Sequence, residues 1–74
     1  MRERVIAVLE KALPGVDVEA SEYLVDDGMI DSLGIVNIIA ELSLEFGISI
    51  PFEELEADNF NSVDNMVKLV EKLL

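Results

Sequence analysis

Seventy-four residues make one small domain, and a domain of that size buries only about 60% of its unfolded surface, so its core must be efficient. The 51% hydrophobic content argues against a disordered acidic tail despite a net charge of −11. The absence of cysteine and histidine excludes disulfides, a thiolate zinc site and a serine nucleophile activated by imidazole.

In chain order, residues 2–13 are predicted to form a helix. Val5, Ile6, Leu9, Ala12 and Leu13 recur at helical spacing, and Pro14-Gly15 stops the run. Residues 14–30 form a long connection in which Val16 and Val18 alternate with acids, while Tyr23, Leu24, Met29 and Ile30 are expected to pack down on the core. A connection this long inside a small domain is uncommon and often functional. A second helix is predicted over 32–46, with Asp31 or Ser32 as N-cap and Gly47 ending it. Ile48-Ser49-Ile50-Pro51 reads as extended, because the residue before proline avoids the helical region. Pro51 opens a short turn at Phe52-Glu53-Glu54-Leu55, Asn59-Phe60-Asn61 reads as a connection, and Ser62 caps a last helix through about Leu73. No stretch alternates long enough to build a sheet. The expected fold class is therefore all-α: a small bundle of three main helices plus one short helix, with a long first loop.

The second helix carries more apolar surface than a core face needs. At about 100° per residue, Ile35, Ile38, Ile39, Leu42 and Phe46 fall on one stripe. Leu33, Val36, Ala40 and Leu44 form a second strip beside Ser32, and the polar face is Asn37, Glu41 and Glu45 with Gly34 among them. A helix apolar on two sides is either deeply buried or carries a binding strip. Full burial is hard to arrange in so small a domain, which favours the strip as a partner surface.

Charge is segregated. All five basic residues (Arg2, Arg4, Lys11, Lys68, Lys72) lie near the two ends, and thirteen acidic residues with no basic one lie between residues 12 and 67. Such a field repels nucleic acid and anionic lipid and attracts basic protein surfaces. It also keeps a small apolar domain in solution, which accounts for the net charge but not for the segregation. No apolar stretch approaches the roughly 20 residues that span a bilayer, so no membrane insertion is expected. The charged start Met-Arg-Glu-Arg-Val has no apolar signal-peptide run, which points to the cytoplasm.

Few side-chain constellations carry chemistry. The carboxylate pairs Asp26/Asp27, Glu53/Glu54 and Glu56/Asp58 lack the enclosed site that would separate two pKa values for acid–base catalysis. No stretch matches the twelve-residue calcium loop, and no Gly-rich phosphate loop is present. No metal site and no catalytic residue is expected. Ser32 remains. It follows the turn Asp26-Asp27-Gly28 and opens an apolar helix, but has no base of its own. A serine beside an aspartate is a routine helix cap; a serine so placed is also a point where something can be attached.

The whole chain resembles the carrier-protein family, the acyl, peptidyl and D-alanyl carriers that bear 4′-phosphopantetheine. The resemblance rests on Gly28-Met29-Ile30-Asp31-Ser32-Leu33, on Leu42 through Pro51, and on Phe60-Asn61-Ser62-Val63. It implies a single carrier domain over 1–74, with the arm attached to Ser32 through a phosphodiester, Asp31 as the adjacent family aspartate, and Leu33 as a residue that partners touch. With Val36, Ala40, Glu41 and Leu44, Leu33 would form the docking face. It further implies a non-catalytic, monomeric carrier of thioester-bound acyl or aminoacyl groups. Its partners would be a phosphopantetheinyl transferase, an adenylating acyl or aminoacyl ligase or an acyltransferase, and a downstream synthase or transferase. Fatty-acid carriers of this family carry several acids along the second helix, whereas here it holds only Glu41 and Glu45. That departure, with Asn59-Phe60-Asn61-Ser62, leans toward D-alanyl or other stand-alone aminoacyl or specialised acyl carriers. A fatty-acid-synthase carrier is the alternative within the family, and an unmodified acidic interaction module the alternative outside it.

Overall fold

The first helix, α1, spans Arg2–Ala12. Val5 and Leu9 are fully buried and Val8 nearly so, the single face that helical spacing gives. The helix stops one residue before the predicted end. Leu13 leaves it at φ −128°, ψ 68°, because the ring of the following Pro14 crowds the helical conformation of its predecessor. The computed structural model describes residues 1–74 and contains helices and turns without a strand.

Residues 13–31 cross to the next helix through turns. Val18, Leu24 and Ile30 insert into the core at intervals of six residues. Tyr23 and Met29 do not pack down as expected: they are 59% and 50% exposed. Each precedes a residue that turns inward. Met29 N and Ile30 N both donate to Leu24 O, at 2.9 and 3.0 Å, which closes the turn with Leu24 and Ile30 inside and their neighbours outside.

The second helix, α2, spans Ser32–Phe46, the predicted limits. Ile38 and Leu42 are fully buried, while Ile35, Ile39 and Phe46 are half-buried against them. Gly47 ends it in the left-handed region at φ 64°, where its N–H donates to Ser43 O. Only glycine takes that conformation without penalty, and it satisfies one of the carbonyls a helix end leaves open.

After Pro51 the chain makes a 3-10 turn, Phe52–Glu54, then a four-residue helix, α3, Ala57–Phe60. The sequence placed the short helical element at 52–55 and read 59–61 as a connection, so α3 is a correction. Its driving force is one side chain, Phe60, fully buried. Side-chain amides tie the segment down: Asn59 Nδ2 donates to Glu54 O at 2.7 Å and Asn65 Nδ2 to Asp58 O at 2.8 Å. The last helix, α4, spans Val63–Leu73, capped by Ser62, whose side chain accepts from Asn65 N.

Helix α1 packs on both α2 and α4, and α3 packs on α4. Leu9, Ile38, Leu42, Phe60 and Met66 meet in one core. Three of the five basic residues tie elements together. Arg2 reaches Asp64 and Glu19. Arg4 lies 4.5 Å from the Phe46 ring centre and donates to the Glu45 carboxylate and carbonyl, each at 2.7 Å. Lys72 pairs with Glu54 at 2.7 Å. No helix is long and apolar enough to cross a membrane.

Candidate functional site

Ser32 is the first residue of α2 and is exposed. Asp31, not Ser32, is the N-cap. Its backbone is extended (φ −93°, ψ −175°) and its Oδ1 accepts from Gly34 N at 2.7 Å. Because the carboxylate fills this role, the Ser32 hydroxyl is not spent on the Gly34 N–H. Gly34 makes room for the cap: a Cβ there would lie 3.2 Å from both Asp31 Oδ1 and Ile30 Cγ2, tighter than ordinary van der Waals contact.

The turn that delivers this serine is held from behind. Asp27 N donates to Tyr23 O at 2.7 Å and Gly28 N to Val25 O at 3.0 Å. Gly28 sits at φ 80°, a left-handed position that favours glycine. Ile30, two residues before Ser32, is buried and anchors the helix entry. The hydroxyl therefore stands on a fixed backbone with open solvent in front of it.

The strip proposed for docking is on the surface. Leu33, Val36 and Leu44 are 75%, 57% and 81% exposed, and Ala40 is exposed between them. Glu41 is half-buried and borders a surface groove between α1 and α2 lined also by Arg4, Lys11 and Glu45. A second groove lies at the far side, between the 3-10 turn and α4, with Glu54, Lys68 and Lys72 on its walls. Ser32 lines neither groove. Its hydroxyl stands on the open surface.

A phosphodiester fits this place. The first turn of a helix leaves backbone N–H groups without intrahelical acceptors and carries the positive end of the helix dipole, both of which favour an anion. The exposed hydroxyl supplies the ester oxygen, and no side chain encloses it. Against known proteins, a family model described as "Phosphopantetheine attachment site" matches residues 2–70. The chain belongs to that family. Its prosthetic group is 4′-phosphopantetheine, held covalently.

The carrier chain is also similar to D-alanyl carrier proteins of Streptococcus pyogenes, among them those of serotype M1, serotype M5 (strain Manfredo) and serotype M49 (strain NZ131). Each is 44% identical over 52 residues, 70% of this chain and 66% of the relative. The match thus spans just under two thirds of these relatives' own length. No solved structure matches the chain.

Two features of the carrier were not anticipated from sequence. Phe52, read only as part of a turn, is 84% exposed; its large apolar side chain next to Pro51 was the available signal. Asn61, read as connection, is buried at 4% exposure and bonds to the loop before Ser32. A polar residue between Phe60 and Val63, both buried, was its signal, but its partners could not be read from the sequence.

Proposed function

We propose that this protein is a non-catalytic carrier. It holds an activated aminoacyl or specialised acyl group as a thioester on a 4′-phosphopantetheine arm at Ser32, and partner enzymes perform the chemistry. The observation that carries the reading is the exposed Ser32 hydroxyl at the start of α2, left free because Asp31 takes the cap. When bound, the arm supplies the thiol that this cysteine-free chain lacks. Ser32 Oγ forms the new ester bond to the pantetheine-side phosphorus of coenzyme A as the pyrophosphate bond breaks and adenosine 3′,5′-bisphosphate leaves. The hydroxyl proton passes to a base of the phosphopantetheinyl transferase, since the chain has no imidazole to take it.

Leu33, Val36, Ala40 and Leu44 form the contact strip for the transferase, for an adenylating ligase or acyltransferase, and for the downstream synthase or transferase, with Glu41 at its border. Their exposure supports this. The acidic middle of the chain favours partners with basic surfaces. Residues 1–74 act as one carrier domain, monomeric and cytoplasmic. The D-alanyl carrier relatives and the two carboxylates of α2 support an amino acid, D-alanine first, as cargo over a fatty acyl chain.

The test is stepwise intact mass. With coenzyme A, magnesium and a broad-specificity transferase, the mass rises by one phosphopantetheine. With an amino-acid-adenylating ligase, ATP and D-alanine it rises by one alanyl group, which hydroxylamine releases. Efficient malonyl loading and long-chain elongation, with no amino-acid loading, returns the protein to the fatty-acid type. A chain that no transferase modifies is an unmodified interaction module.

A further inference from the structure

We propose that Asn61 is a positioning residue for arm attachment, fixing through one side chain the loop that presents Ser32. The inference rests on Ser32 as the attachment point. Three successive backbone N–H groups of that loop end on this one residue. Leu24 N donates to Asn61 O at 2.8 Å. Val25 N and Asp26 N both donate to Asn61 Oδ1, at 2.9 and 3.1 Å. Asn61 Nδ2 donates in return to Asp26 Oδ2 at 3.2 Å.

The amide is matched to this task. It must accept twice and donate once, which an ionised carboxylate, an acceptor only, does not. The clamp grips residues 24–26; the turn then closes through the bonds of Gly28, Met29 and Ile30 to Val25 and Leu24, and Asp31 and Ser32 follow directly. The loop from residue 13 to 31 contains no regular element, so its order rests on Val18, Leu24 and Ile30 in the core, on its own turn hydrogen bonds and on this clamp. Asn61 is held in turn by its neighbours: Phe60 before it is fully buried, and Ser62 after it caps α4. The corner between α3 and α4 therefore sets where the hydroxyl stands, although Asn61 itself is not part of the reacting surface.

The test is the rate of phosphopantetheine transfer from coenzyme A by a broad-specificity transferase, followed by intact mass. Asn61→Asp keeps the acceptor but sets a second carboxylate against Asp26. It should lower kcat/KM for the carrier about tenfold, the factor that one or two lost hydrogen bonds represent, mainly through KM. Asp26→Asn added to it restores a donor facing an acceptor and should recover most of the loss. Val5→Ala, a core truncation in α1, serves as the control for a general loss of stability and should leave the rate unchanged. Should Asn61→Asp fail to fold, Asp26→Ala, which removes the exposed partner alone, should still speed amide hydrogen exchange at residues 25–30 and raise KM. The proposal is overturned if the Asn61→Asp variant, or Asp26→Ala in its place, reacts no more slowly than Val5→Ala, or if the paired substitution restores nothing. A wild-type protein that takes no arm, or takes it in Ser32→Ala, would instead defeat the attachment assignment.

Discussion

Asp31 and Ser32 divide between them two tasks that the sequence could have given to either. Both are good cap residues, and type alone does not say which oxygen meets the Gly34 N–H. Backbone geometry decides it: Asp31 is extended and Ser32 already helical. The division makes a prediction. Asp31→Ala should cost about 1 kcal/mol of stability by urea unfolding, the usual loss of a helix cap, while Asp31→Asn stays near wild type. Ser32→Ala should change stability by no more than about 0.5 kcal/mol, as an exposed residue outside any cap. Equal losses for Asp31→Ala and Ser32→Ala would show that the hydroxyl shares the cap. Asn61 could not be read in the same way. Its loop partners, Asp26, Val25 and Leu24, lie far away in the chain, so no local pattern announces them.

Among elements, the long helices were legible because each buries a repeating face, and the short one was not. α3 has four residues and one buried side chain, too few to show a period. Tyr23 and Met29 were misplaced for a related reason: inside a turn, apolar character does not say which of two adjacent residues faces inward. Helix α2 is divided between a core face and an exposed strip. Leu42 is fully buried and Val36 57% exposed. Leu42→Ala should therefore destabilise by about 2–5 kcal/mol, the range for buried leucine truncation. Val36→Asp should stay within about 1 kcal/mol of wild type while slowing loading by the adenylating ligase. Matching urea midpoints for the two variants would contradict the two-faced reading, and unimpaired loading of Val36→Asp would remove its docking role.

For the molecule as a whole, charge sets the balance. Sixteen acidic residues face five basic ones, and Arg2, Arg4 and Lys72 are engaged in ion pairs within the chain. Those pairs are on the surface, where each contributes about 0–1 kcal/mol, so the repulsion among the remaining acids outweighs what salt would take from the pairs. Raising sodium chloride from low ionic strength should increase the melting temperature, magnesium should do so at lower concentration, and the same salt should weaken partner association. A melting temperature unmoved by either salt would show that the acids are too well solvated to repel. The carrier role stands on one hydroxyl, that of Ser32. The chain has five serines, Ser21, Ser32, Ser43, Ser49 and Ser62, and of these Ser43 and Ser62 are engaged inside helices or caps. Fragment mass spectrometry of the protein after reaction with coenzyme A and transferase should place one phosphopantetheine on Ser32 and none elsewhere, whereas an arm mapped to Ser21, Ser43, Ser49 or Ser62 would contradict the account.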